Sequence, residues 1–132
     1  MTDKQEVATR NPAEVERRER EFDVVLRPPA DVFEDAEGIT LQLDMPGVSR
    51  DRLDIQADKT NLVIEGSAQI DMPQGMEALY AEVRSTLFRR IFTLSSELEA
   101  EKIDATLKDG VLTVRVPRRA ELRPRKIDVR TS

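Results

Sequence analysis

An all-β fold, two sheets packed face to face, is what this sequence predicts, and three observations predict it. Apolar and polar residues alternate through a series of short segments between residues 30 and 117, the period of two that turns one face of a strand to a core and the other to water. Turn formers punctuate these segments at Pro46-Gly47, Lys59-Thr60-Asn61 and Lys108-Asp109-Gly110. The one stretch of helical character, "NPAEVERRERE", lies ahead of Arg27-Pro28-Pro29, and prolines there remove backbone donors and force extended geometry on the residue before them. Short strands at regular spacing with turns between them make a β-sandwich.

Taken in order, residues 1–28 form a short charged arm. Asn11 is placed to cap a helix with Pro12 at its first position and acidic residues in its first turn, although a solvated helix and a disordered arm fit this composition equally. The domain boundary falls at the two prolines, so that residues 29–117 are the folded unit. "ADVFED" is a short strand. "GITLQLD" sets Ile39, Leu41 and Leu43 against Thr40, Gln42 and Asp44. "MPGV" turns with Pro46 fixing φ and Gly47 supplying the positive φ of a type II turn. "DRLDIQAD" gathers Leu53, Ile55 and Ala57 on one face, and "KTN" joins it as a hairpin to the strand "LVIEG". The span from Ser67 to Val83, with Pro73 and Gly75 inside it, reads as a long irregular loop holding one short strand, "ALYAEV". "RSTLFRRIFTL" returns to strand character. "EKIDATL" alternates Ile103, Ala105 and Leu107, Lys108-Asp109-Gly110 turns, "VLTVRV" alternates Leu112, Val114 and Val116, and Pro117 ends the sheet. Residues 118–132 are a basic tail with one apolar island, Ile127 and Val129.

Composition narrows the function. With no Cys and no His in 132 residues, disulfides, thiol nucleophiles, most zinc sites and imidazole acid–base chemistry drop out together, so no cofactor or metal is expected. The opening residues lack the apolar run of a signal peptide, and a cytoplasmic protein that needs no membrane is expected. The net charge of −5 divides as −1 over residues 1–28, −8 over 29–117 and +4 over 118–132. A basic tail on an acidic body reads either as a nucleic-acid arm or as a complement to its own or a neighbour's acidic surface. The second reading is favoured, and no nucleic-acid partner is expected, because no stacking aromatic accompanies the basic residues.

Four motifs follow one another: "DMPGV" at 44–48, "FRRIFTL" at 88–94, Ala105-x-x-x-Asp109-Gly110-Val111-Leu112 with "TVRVP" after it, and a final Ile127-Asp128-Val129. Each is weak alone. In this order they resemble the α-crystallin domain of small heat-shock proteins of the bacterial and plant type, over about Pro29 to Pro117 plus the tail. The resemblance implies an immunoglobulin-like sandwich with flexible arms, ATP-independent binding of partly unfolded proteins as a holdase, and a dimeric building block that assembles further.

It also implies roles for particular residues. Gly110 and Leu112 match the family's signature, the glycine at a turn requiring positive φ. Arg90 matches an arginine at or near the dimer contact, and an ordinary exposed strand arginine is the alternative. Leu79 and Tyr80 fall in the strand, about Ala78 to Val83, that such proteins exchange with a partner. Ile127 and Val129 resemble the family's I-x-I/V tail motif, whose groove corresponds here to Leu53, Ile55, Ile103, Ala105 and Leu107. Alternate side chains of an extended segment point the same way, so the pair suits two adjacent pockets while Asp128 faces water. Arg125, Lys126 and Arg130 would face Asp51, Asp54 and Asp58. The chain departs from the family in its short arm, with Phe22 as the only aromatic, and in Thr86 and Ser95 flanking the "FRRIFTL" segment. Two other functions compete with the holdase. One is a regulatory or adaptor co-chaperone, either a CS-type docking module or a short-armed subunit that tunes a longer paralogue by hetero-oligomerisation. The other is a hydrolase built on Asp44 and Asp109, which turn chemistry explains without catalysis.

Overall fold

The computed structural model describes residues 12–131 except 75–76, with side chains from 71 to 83 outside the description. A helix, α1 (Pro12–Arg20), precedes eight strands: β1 (Val24–Leu26), β2 (Ala30–Asp35), β3 (Gly38–Asp44), β4 (Leu53–Ala57), β5 (Asn61–Gln74), β6 (Glu77–Thr93), β7 (Asp104–Lys108) and β8 (Val111–Pro117). They form two four-stranded sheets, β1-β6-β5-β4 and β2-β3-β8-β7. The β-sandwich is therefore as the alternation predicts.

The core follows from register. β3 and β8 pair Leu41 with Val114 and Leu43 with Leu112, and all four side chains are buried against Leu62, Ile64, Ala68 and Phe88 of the opposite sheet. Met45 and Val48, just past β3, close one end of this layer. They lie so near β5 that a methyl group at Gly66 would sit 2.6 Å from Met45 Cε and 2.9 Å from Val48 Cγ1, so any larger residue there has to push those side chains aside. The Met45–Val48 turn is closed by a bond from the Val48 N–H to the Met45 carbonyl, with Gly47 at φ 82°. Between β7 and β8, Asp109 at φ 52° and Gly110 at φ 78° make the mirror-image turn that matches strand twist. The Met45 N–H bonds the Gly110 carbonyl at 2.7 Å and ties that turn to β3.

Two features differ from the sequence reading. The span read as a long loop is instead the far end of a continuous hairpin: β5 and β6 pair from Asn61↔Thr93 to Gln74↔Glu77, with an irregularity at Pro73/Gln74. β4 pairs only as far as Gly66 and β1 only with residues 86–88, so the rest of the hairpin is a two-stranded ribbon beyond the sheet. The irregularity expected throughout this span is confined, among the described residues, to the register shift at Pro73/Gln74. The second difference is β1, a three-residue strand ahead of the prolines that pairs in parallel with β6. Pro28 is fully buried, and the Pro-Pro step carries the chain across from one sheet to the other.

Candidate functional site

A sandwich has open sides wherever the edges of its sheets face each other. Here β4 is an edge of one sheet and β7 an edge of the other. Leu53, Ile55 and Ala57 of β4 and Ile103 and Leu107 beside β7 are half-buried, with Ala105 exposed between them. Too much apolar surface lies on these edges for the two sheets to cover. The result is a groove of two hollows. The first, about 360 Å³, is lined by Leu53, Ala105, Leu107 and Leu112 with Arg50 at its rim. The second, about 340 Å³, is lined by Ile55, Ala57, Ala100, Ile103 and Ala105 with Glu101 at its rim.

The five residues expected to line the groove divide between the two hollows, Leu53 and Leu107 in the first and Ile55 and Ile103 in the second, and Ala105 belongs to both. Leu112 forms part of the floor as well as part of the core. Ala100 and the two rim charges carried no sequence signal, because the 3-10 turns that present them, Arg50–Arg52 and Ala100–Lys102, have no apolar period. Leu53 and Ile55 stand two residues apart, about 6.6 Å along a strand, as do Ile127 and Val129 in an extended tail.

Charge around the groove is partly spoken for. The Ser49 hydroxyl donates to Asp51 at 2.6 Å and holds that carboxyl below its ordinary value, so it stays ionised. Asp54 accepts a bond from Gln56 Nε2 at 2.7 Å. Asp58, expected to face the basic tail, accepts from the N–H groups of Thr60 and Asn61, each at 2.8 Å. It therefore shapes the β4–β5 turn.

The tail starts from a clamp. Arg119 bonds the Glu97 carbonyl through its N–H and the Ser96 carbonyl through Nε, both at 2.8 Å, and Arg118 pairs with Glu97 at 2.8 Å. After a 3-10 turn at Ala120–Leu122 the chain runs free, leaving Ile127 73% and Val129 88% exposed. The tail does not fill its own groove.

Arg90 is only partly exposed. Its Nη1 donates to the Pro28 carbonyl at 2.9 Å and its guanidinium lies 5.3 Å from the Phe92 ring centroid, so it fastens the β1–β2 crossover to β6. Leu79 and Tyr80 lie on β6, but their side chains fall outside the described residues. Asp44 ends β3, and Asp109 sits in the β7–β8 turn. Among the described residues no three His, Cys, Asp or Glu side chains gather as a metal site, and no helix is long and apolar enough to cross a membrane.

A β-sandwich of two four-stranded sheets with an apolar groove between strand edges and a detached aliphatic tail is an α-crystallin-type domain. The chain belongs to the Hsp20/alpha crystallin family, whose model matches residues 31–130. It is 37% identical over 107 residues to a probable 15 kDa heat shock protein of Leptospira interrogans, covering 81% of each chain. It is 36% identical over 101 residues to a 17.7 kDa class II heat shock protein of Arabidopsis thaliana, covering 74% of this chain and 65% of the other. Among solved structures, a small heat-shock protein from Xylella fastidiosa with a distinct high order structure superposes with a TM-score of 0.60 at 28% identity, over 80% of this chain and 98% of that one. The protein is a small heat-shock protein, a stress-response chaperone by family.

Proposed function

We propose that this protein is an ATP-independent holdase that binds partly unfolded proteins and keeps them from aggregating, working as an assembly held together by its tails. The observation that carries the reading is the pairing of an open two-hollow groove with a tail whose Ile127 and Val129 stand in solvent. Burying one such side chain stabilises by about 1.5–3 kcal/mol, and ordering the tail offsets much of that. One tail in a neighbour's groove is therefore short-lived. Several per assembly hold firmly through effective concentration while each still opens alone, which gives a client repeated access to apolar surface.

The same reading places the dimer at the other side of the sandwich. Among the described residues β2 pairs with β3 alone and leaves Val32 and Phe33 more than half exposed. The ribbon of β5 and β6 extends beyond its sheet, and an isolated two-stranded hairpin is marginal in water. Exchange of residues 78–83 onto a partner's β2 edge would complete both, with Leu79, Tyr80 and Arg90 near the contact. The test is light scattering from a heat-denatured model client without ATP. The intact chain should suppress aggregation and a chain ending at Arg119 should do so much less. Equal failure of both to suppress would end the holdase reading.

A further inference from the structure

The face of β5 turned away from the core carries Val63, Glu65 and Ser67, opposite Ile91, Arg89 and Leu87 of β6. An outward sheet face is ordinarily wet. Val63 is nevertheless 5%, Glu65 3% and Leu87 0% exposed. Neither apolar residue belongs to the core cluster, whose β5 members are Leu62, Ile64 and Ala68. A second buried patch therefore lies outside the sandwich, and α1 lies against it. Arg18 Nε is 3.4 Å from Glu65 Oε1, and Glu14, Arg17, Arg18 and Glu21 enclose a charged hollow with Asp54 and Glu65. Glu65 is in turn 2.8 Å from Arg89 Nη1. At the foot of the helix Asp23 and Ser85 exchange bonds of 3.0–3.2 Å, which anchors the chain to β6 at that point.

The attachment is of an unusual kind. No residue of α1, PAEVERRER, is fully buried, and the half-buried ones along the helix and just past it, Val15, Arg18, Glu19 and Phe22, make a narrow stripe in which charge and apolar surface are mixed. Charge supplies much of the contact, and the Arg18 side chain is 40% exposed. Such contacts are weak and screened by salt. We propose that α1 is a releasable cover. When it swings away at Asp23, Val63 joins the already exposed Ile91 and Leu87 joins the already exposed Val25, giving an apolar band across β1, β6 and β5 that the Glu65–Arg89 pair interrupts. The chaperone reading gives this band its use, as a client surface separate from the groove. The cover itself is tested without any client.

Because the chain has no cysteine, single thiols report on single positions. In the full chain Val63→Cys should react slowly with a thiol reagent at low salt. It should react about fivefold faster when Arg18→Glu is added, the upper range for one partly exposed ion pair, and faster again in 0.5 M salt used as the probe condition. Ile64→Cys, one residue along and facing the core, should stay unreactive throughout. Three results overturn the cover: Val63→Cys reacting at low salt as fast as Ile91→Cys, its rate staying unchanged by both Arg18→Glu and salt, or the 63 and 64 thiols rising together.

Discussion

Replacing Ile127 and Val129 together by Ala separates assembly from folding. Both side chains stand largely in solvent in the single chain, so their removal costs the fold of the dissociated chain nothing, and at a concentration where wild type is also dissociated the two should melt alike. In a neighbour's groove they would be buried. Shortening Ile to Ala and Val to Ala deletes about five carbon groups, and at ~0.8 kcal/mol each the gross loss is about 4 kcal/mol per tail. That equals or exceeds what remains of the contact after the tail has been ordered. Docking should thus vanish rather than weaken, and molar mass from light scattering coupled to gel filtration should fall to the dimer. The reciprocal change, Ala105→Arg, fills the wall shared by both hollows from an exposed position and should give the same mass. An unchanged mass in both variants, or a tail variant that melts lower than wild type when both are dissociated, would refute the reasoning.

Gly66→Ala should lower stability by about 1–3 kcal/mol in a urea titration, because its methyl group would overlap Met45 and Val48. Arg90→Ala leaves the Pro28 carbonyl without its guanidinium donor and should cost about 1–3 kcal/mol, read in the same titration. Arg115 grips Asp35 through two bonds of 3.1 Å. This pairing, with the Glu37 N–H, holds the Asp35 carboxyl below its ordinary value. A carboxyl lowered in the fold adds stability above its unfolded value, about pH 3.9, and loses it as pH falls through the folded value. The urea midpoint of wild type should therefore drop more steeply below about pH 4 than that of Asp35→Asn. Parallel curves would assign the acid sensitivity elsewhere.

The legible parts of this protein are those where one face of a strand meets the core. β3 and β8 announce themselves because every second residue is buried, and Asp109-Gly110 because few other pairs accept two positive φ values. The alternation shows Leu53, Ile55 and Ala57, and Ile103, Ala105 and Leu107, as faces of two strands, but that they line a groove for a tail came only from the family resemblance, because no local pattern records where an opposite sheet stops covering a face. The outer half of the β5–β6 hairpin was not legible as a paired ribbon, since the sequence from Ser67 to Val83 shows no sustained apolar period and holds Pro73 and Gly75. β1 is too short to have a period at all. The burial of Val63, Glu65 and Leu87 was hidden for another reason. It depends on a charged helix some forty residues and more away in sequence, and no local pattern records what will come to lie on a strand's outer side.

The clamp at Arg119 fixes a radius. Ile127 lies eight residues on from it, and a fully extended chain gains at most about 3.3–3.6 Å per residue, so even with the Ala120–Leu122 turn pulled straight the leading aliphatic side chain reaches no farther than roughly 26–29 Å from the anchorage. Any lattice of subunits closed by these tethers must bring an acceptor depression inside that radius. Arrangements with wider spacing are forbidden by chain length alone, whatever the strength of the contact.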